Sequence, residues 1–219
     1  MTEEFLSQLT ADEAADLERR GRRRQWPRGA VIYREEDVAE SVVILLSGRV
    51  KVFCHTASGG EVVLAVRPPG ALLGEMSAID GGQRSATVQA MEPVTALVVA
   101  QAEFEAYLQG HGRVAFLLMR TLIGKLRDAD RKRIEFGAFD TTGRVAARLV
   151  EMAERFGRPG PDGVRIALPF SQDELAGWTG ASREAVSKAL GTLRADGLIE
   201  TGRLRVVVRD IEALRDRAR

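Results

Sequence analysis

The chain has 219 residues, 45% of them hydrophobic and 29% charged, with a net charge of +1. These are the proportions of a folded globular protein long enough for two domains, and they exclude an intrinsically disordered chain. A single cysteine, Cys54, and two histidines, His55 and His111, exclude an internal disulfide and an iron–sulfur cluster and argue against a metal site.

The N-terminal stretch MTEEFLSQLTADEAADLERR is acidic and amphipathic, and predicts a helix over about residues 3–20. It lacks the basic start and apolar run of a leader, and the chain has no apolar stretch long enough to span a bilayer, so no membrane partner and a cytoplasmic location are expected. From about Gly29 to Val99 the runs AVIY, SVVILLSG, RVKVF, EVVLAV, RPPGALLG, SATVQA and TALVVA predict six to eight strands of an all-β sandwich or barrel. Gly29, Gly48, Gly59, Gly60 and Gly70 stand where turns are needed.

Within this region GEMSAIDGGQRSAT, residues 74–87, sets Glu75 and Arg84 on either side of a Gly-Gly pair. One reading is a solvated turn with a surface ion pair worth under about 1 kcal/mol. The other is a pocket for something that carries both a negative charge and a hydroxyl.

A helix is expected from about Gln101, broken at 110–112 and resumed as one long helix to about Phe136. There Ala115, Leu122, Ala129 and Phe136 recur every seven residues, with Leu118 and Leu126 a turn from Leu122, which predicts pairing with another helix. The alternative is a helix packed on its own domain, and the polar run DADRKR at 128–133 interrupts the apolar seam. Gly137-Ala138 is a plausible hinge. Beyond it Asp140 or Thr141 can cap a helix with a stripe of Val145, Leu149 and Met152, ended by Gly157; RPGPDG at 158–163 reads as a turn-rich connector.

Charge is unevenly spread. Residues 1–110 hold 11 Lys/Arg against 16 Asp/Glu, residues 111–139 hold 7 against 3, and residues 140–219 hold 14 against 12, so an anionic partner is expected at the second half. In SQDELAGWTGASREAVSKALGTLRADG, residues 171–197, Ala176, Gly180 and Val186 stand at the offsets of a helix-turn-helix: a small residue where helices cross, a glycine in the turn, a buried apolar residue on the second helix. That second helix turns Ser182, Arg183, Glu184, Ser187 and Lys188 outward. Arg183 can donate to guanine O6 and N7, Glu184 can accept from cytosine N4, and Lys188 can reach guanine or phosphate. Ser171 can meet a phosphate or simply cap its helix. LIETGRLRVVV, residues 198–208, reads as a hairpin with Thr201-Gly202 in the turn, a wing whose Arg203 and Arg205 can touch phosphates.

Taken together, these features resemble the cyclic-AMP receptor protein (Crp/Fnr) family of bacterial transcription regulators. The resemblance spans nearly the whole chain, through FDTTGR at 139–144 and SREAVSKAL at 182–190, and is most specific at Gly74-Glu75 and Arg84-Ser85-Ala86, which match the family's phosphate-binding cassette. It implies an α+β fold: a double-stranded β-helix (β-roll) sensor over 1–110, a long dimerisation helix and hinge over 111–138, and a winged helix-turn-helix over 139–219. It also implies a homodimer that binds double-stranded DNA, works with RNA polymerase and takes cyclic AMP as effector at Gly74, Glu75, Met76, Arg84, Ser85 and Ala86, with no metal and no enzymatic activity. In that role Arg84 and Ser85 meet the cyclic phosphate and Glu75 accepts from the ribose 2′-hydroxyl. One departure stands out: where cyclic-AMP sensors of the family offer hydroxyl residues to the adenine, this chain has Ala129-Asp130. Asp130 can accept from adenine or guanine, which leaves cyclic GMP and cyclic dinucleotides open, or it can pair with Arg127, Arg131 or Arg133. A front domain that senses another effector, such as haem, or none, is the alternative.

Overall fold

The computed structural model describes residues 4–56, 59–168, 170–202 and 205–218. The chain divides into two compact units, one running to Arg127 apart from residues 60–62, the other from Asp128 onward. Among the described residues no helix is long and apolar enough to cross a membrane.

The N-terminal segment is two elements instead of one helix. A 3-10 turn, Phe5–Gln8, precedes α1, Ala11–Arg20. Thr10 separates them: its hydroxyl accepts from the Glu13 amide at 3.3 Å while the Glu13 carboxylate accepts from the Thr10 amide at 2.8 Å, a reciprocal cap that starts a helix at that point. Strands β1 (Gly21–Trp26), β2 (Val31–Tyr33), β3 (Ser41–Ser47), β4 (Val50–His55), β5 (Glu61–Arg67), β6 (Leu72–Leu73), β7 (Thr87–Ala90) and β8 (Val94–Ala100) follow, with a short helix α2, Glu75–Asp80, between β6 and β7. They form two four-stranded sheets, ordered β1-β8-β3-β6 and β2-β7-β4-β5.

β1, with the sequence GRRRQW, carries no apolar alternation and has no place among the predicted strands. It is held by backbone pairing with β8 along its whole length, from Gly21 opposite Val99 to Trp26 opposite Val94. β3 is apolar without interruption because both its faces are covered. Val42 and Ile44 pack with Leu17, Phe104, Tyr107 and Val114 of the flanking helices, whereas Val43 and Leu45 meet Val50, Val88 and Ala96 between the sheets. Gly48, at φ 76°, makes the turn into β4, where a Cβ would strike the Pro93 carbonyl.

Helix α3, Gln101–Gly110, ends at His111, and α4 runs unbroken over Gly112–Ala138. Leu118 is buried in the core of the first unit and Leu122 packs against it. Of the expected seam Leu126 and Phe136 face outward, and Phe116, Met119 and Ile123 stand outward with them, each about half exposed or more. Gly137 lies inside this helix.

In the second unit α5, Thr141–Phe156, starts where Asp140 accepts from the Gly143 amide at 2.6 Å and buries Val145, Leu149 and Met152. Arg148, buried on this helix, is satisfied by Glu135 of α4 and Glu151 of α5. Burial alone raises the Glu151 carboxyl, but Lys132, Arg148 and Arg155 around it outweigh that and hold it below the ordinary carboxylate range. The segment RPGPDG is no mere connector: Gly157–Gly160 (β9) and Gly163–Ile166 (β10) pair as a hairpin.

Helices α6, Gln172–Thr179, and α7, Arg183–Ala195, follow, then β11 (Ile199–Gly202), β12 (Arg205–Val208) and α8 (Ile211–Arg217). The second sheet unit is ordered β11-β12-β10-β9. Thr201 pairs with Val206 and Gly202 with Arg205, so both belong to the strand and not to the turn; Arg203 lies outside the described residues. Between α6 and α7, Gly180 is left-handed at φ 58°, with Ala176 and Val186 buried on either side. A Cβ on Gly180 would stand 2.5 Å from Cε1 of Phe136, the α4 side chain beneath it. Gly180→Ala is thus expected to cost about 2–3 kcal/mol through backbone strain and overpacking, and Phe136→Ala in the same chain to recover part of it, as read by urea denaturation.

Candidate ligand site and nucleic-acid interface

The 74–87 segment is a turn, a short helix and a second turn that leads into β7. Gly74, at φ 76°, turns the chain out of β6 into α2, and Gly81, at φ 70°, closes that helix. The sequence reading treats this segment as a loop; the first turn of α2 buries Glu75 to 3% exposure and Ser77 alongside it, whose hydroxyl donates to the Gln83 carbonyl at 3.0 Å. Met76 and Ser85 are exposed and Ala86 is buried.

Arg84 is 5% exposed. Its backbone is fixed by the loop before β3: the Arg84 amide donates to the Asp37 carbonyl and the Glu36 amide to the Arg84 carbonyl, both at 2.9 Å. Glu36 does so at φ 68°, the left-handed region in which, among the described residues, it is the one non-glycine. The Arg84 guanidinium donates to the Gly74 carbonyl at 3.0 Å and the Ser41 carbonyl at 2.5 Å, and lies 4.4 Å over the Tyr33 ring. Its Nε is buried with no hydrogen-bond partner among the described residues. Every contact of this buried cation is with a neutral group. A Cβ on Gly74 would collide with it, so the glycine is required by Arg84 as well as by the turn.

Glu75 and Arg84 do not form the surface ion pair of the simpler reading. The Glu75 carboxylate accepts from Lys125 Nζ of α4 at 2.6 Å, and the same ammonium donates to the Leu72 carbonyl at 3.3 Å. Burial pulls the Lys125 ammonium below its ordinary value, an effect Glu75 partly offsets. Burial, reinforced by the Glu75 charge, raises the Tyr33 phenol above its usual value. Tyr33, Ser41 and Lys125 are absent from the sequence-derived site. Lys125 carried one signal: a lysine between Ile123 and Leu126 interrupts an apolar seam and asks for a partner.

Asp130 is exposed on the stretch of α4 that belongs with the second unit. Arg131 pairs with Asp128, and no ion pair engages Asp130 among the described residues. The Cys54 thiol donates to the Ser85 carbonyl at 3.4 Å, and burial together with Glu35 pushes it up to about 11, unfavourable for a thiolate ligand. His111 Nε2 is 3.0 Å from Asp16. No group of three or more His, Cys, Asp or Glu suited to a metal ion occurs among the described residues.

At the other end, Ser171 caps α6: its hydroxyl accepts from the Glu174 amide at 3.1 Å while the Glu174 carboxylate accepts from the Ser171 amide at 2.7 Å. Ser182 caps α7, accepting from the Ala185 amide at 3.2 Å. Arg183, Glu184, Ser187 and Lys188 are all exposed along the first two turns of α7. The Glu184 carboxyl is held below its usual range by its own backbone N–H and the Ser182 hydroxyl, and Arg183 stands 3.6 Å from Asp173 in a solvated pair. Arg144, missed in the sequence, donates to the Thr179 and Phe139 carbonyls and lies 5.7 Å over Phe136, joining the end of α6 to the end of α4.

Two family models match the chain: the cyclic nucleotide-binding domain over residues 23–111 and the Crp-like helix-turn-helix domain over residues 143–217. The chain is 30% identical over 194 residues to the CRP-like cAMP-activated global transcriptional regulator of Mycobacterium tuberculosis, a match covering 89% of this chain and 87% of that protein. It is 31% identical, with the same coverages, to the cyclic AMP receptor protein of Thermus thermophilus. The structure of CLP, a c-di-GMP-responsive global regulator of Xanthomonas campestris, superposes with a TM-score of 0.83 over 92% of this chain and 100% of that one; at 24% identity the likeness is one of fold. The chain therefore belongs to the CRP/FNR family of DNA-binding transcription regulators, with a cyclic nucleotide-binding domain ahead of its helix-turn-helix.

Proposed function

We propose that the protein is a homodimeric regulator whose grip on double-stranded DNA is set by a cyclic nucleotide, cyclic AMP foremost, bound at Gly74, Glu75, Met76, Arg84, Ser85 and Ala86. The observation that carries this reading is the buried Arg84 guanidinium, which has only neutral partners and an unpartnered Nε. A buried cation is costly unless an anion meets it, and a cyclic phosphate supplies one charge with several acceptor oxygens. Glu75 stands a short helix away as acceptor for the ribose 2′-hydroxyl, in competition with Lys125. Relatives named for cyclic AMP support that choice of effector. Cyclic GMP is the second reading, favoured by Asp130: an exposed carboxylate can accept from guanine N1 and N2 together but from adenine only at N6.

In this reading residues 1–110 sense, 111–138 pair two chains and 139–219 bind DNA, with RNA polymerase as a further partner, the cytoplasm as the place of action and no catalysed reaction. The ligand changes DNA affinity only as far as it binds two arrangements of the dimer unequally. Cyclic AMP and cyclic GMP titrated calorimetrically are expected to bind, and Arg84→Ala to weaken binding about ten- to hundredfold through loss of charged hydrogen bonds. Glu75→Gln is expected to abolish discrimination against the 2′-deoxy analogue. No heat from either nucleotide at millimolar concentration refutes the effector assignment.

Leu126→Glu, placed in the exposed seam of Phe116, Met119, Ile123 and Leu126, is expected to turn a dimer into a monomer in sedimentation velocity. A wild-type monomer would exclude α4 as a pairing helix. For DNA, Ser171, Ser182, Arg183, Glu184, Ser187, Lys188 and Arg203 are the assigned contacts. Arg183→Ala is expected to cost about 1–3 kcal/mol of operator affinity and to relax preference at one G·C pair, measured by anisotropy at fixed salt. Equal loss on every sequence would reassign Arg183 to the phosphate backbone.

A further inference from the structure

Arg84 also borders a second space. A half-open cavity of about 130 Å³ is lined by Arg24, Trp26, Tyr33, Asp37, Glu40 and Arg84, together with Val43 and Val98; none of Gly74, Glu75, Met76, Ser85 or Ala86 reaches it. Two guanidinium–aromatic stacks face it: Arg24 lies 5.5 Å over Trp26 and Arg84 4.4 Å over Tyr33. Such stacking covers a guanidinium face and leaves its N–H edge to acceptors; that of Arg84 is already spent in part on the Gly74 and Ser41 carbonyls. The unpartnered Arg84 Nε belongs to one of these stacks.

Two of the lining residues are acidic. Asp37 and Glu40 belong to the loop between β2 and β3, which is fixed to the Arg84 backbone through the left-handed Glu36. Asp37 has one carboxylate oxygen committed to the Arg34 amide at 2.7 Å, while Glu40 is exposed. Backbone held in an unfavourable region is found where a site needs its geometry fixed. The lining thus offers two cations and two carboxylates, with Trp26, Tyr33, Val43 and Val98 among them. It has no net charge yet presents both signs.

We propose that this cavity is a second ligand site, for a small zwitterion with an apolar body: a free α-amino acid of about the size of valine. The carboxylate meets Arg84 and Arg24, the ammonium meets Glu40, and the side chain lies against Trp26 and Tyr33. A cavity of this size is close to the ~150 Å³ that accommodates benzene, so the occupant has about six to eight non-hydrogen atoms. Because the same guanidinium is assigned to the cyclic phosphate, the two ligands compete. The proposal shares Arg84 with the nucleotide reading but does not require that a nucleotide binds.

The test is a titration of the full-length, ¹⁵N-labelled protein with L-valine, following the two tryptophan indole N–H resonances. Trp26 is expected to shift saturably in the millimolar range while Trp178, in the other unit, stays still. Arg24→Gln and Glu40→Gln, both at exposed positions, are each expected to weaken the response at least tenfold. Isobutyrate and isobutylamine, which carry one charge each, are expected not to saturate. In a second arm valine raises the apparent Kd for cyclic AMP severalfold, and Arg24→Gln removes that effect. No saturable Trp26 shift at tens of millimolar valine overturns the site, and an equal response to isobutyrate overturns the zwitterion assignment. Failure of cyclic AMP to bind leaves the indole titration unaffected, so the two readings fail separately.

Discussion

A guanidinium taken out of water with no ion-pair partner among the described residues is the constraint around which the first unit is organised. Removing a cation from solvent costs several kcal/mol unless hydrogen bonds and an opposite charge offset it. The fold supplies part of this to Arg84: the carbonyls of Gly74 and Ser41, and the electron-rich face of Tyr33. Each partner comes from a different stretch of chain, the turn into α2, the start of β3 and the end of β2, so satisfying Arg84 draws the roll closed around it. Glu36 accepts a left-handed backbone so that its loop can hold the Arg84 main chain. No carboxylate forms an ion pair with it among the described residues; Asp37 and Glu40 line the cavity it borders.

Glu75 is the complementary case. It is slightly more buried than Arg84, and its counter-ion comes from α4, through Lys125. The helix that carries Lys125 is unbroken to Ala138 and contributes to both units. In the proposed reading, a ribose hydroxyl arriving at Glu75 changes what Lys125 is bonded to, and so acts on the helix by which two chains pair. Within the second unit the last turns of α4 are tied down: Glu135 and Lys132 meet Arg148 and Glu151, and Phe136 lies under Gly180 and Arg144. Gly137-Ala138, a hinge on sequence grounds, sits inside that gripped, helical stretch.

Much of this is legible in the sequence. Uninterrupted or alternating apolar runs located seven of the eight strands of the roll, and the Ala176, Gly180 and Val186 offsets located the helix-turn-helix, because burial and positive φ restrict which residues a position accepts. β1 was invisible because an edge strand of arginines is held by its backbone, and backbone pairing leaves no mark on side-chain pattern. The hairpin of β9 and β10 hid behind a glycine- and proline-rich composition for the same reason. The long helix is legible, but of its expected seam Leu118 and Leu122 are committed to their own unit's core while Leu126 and Phe136 stay exposed.

The sequence by itself determined the family, the two-part architecture and the identity of the acid and base at 75 and 84, all of which depend on local spacing and on residue types with few substitutes. Only the tertiary structure decided whom each of them touches. Glu75 met Lys125, fifty residues away, and Arg84 met Tyr33 and Ser41 across the roll. Ion pairing and burial are set by distances in space, which strands remote in the chain establish when they pair.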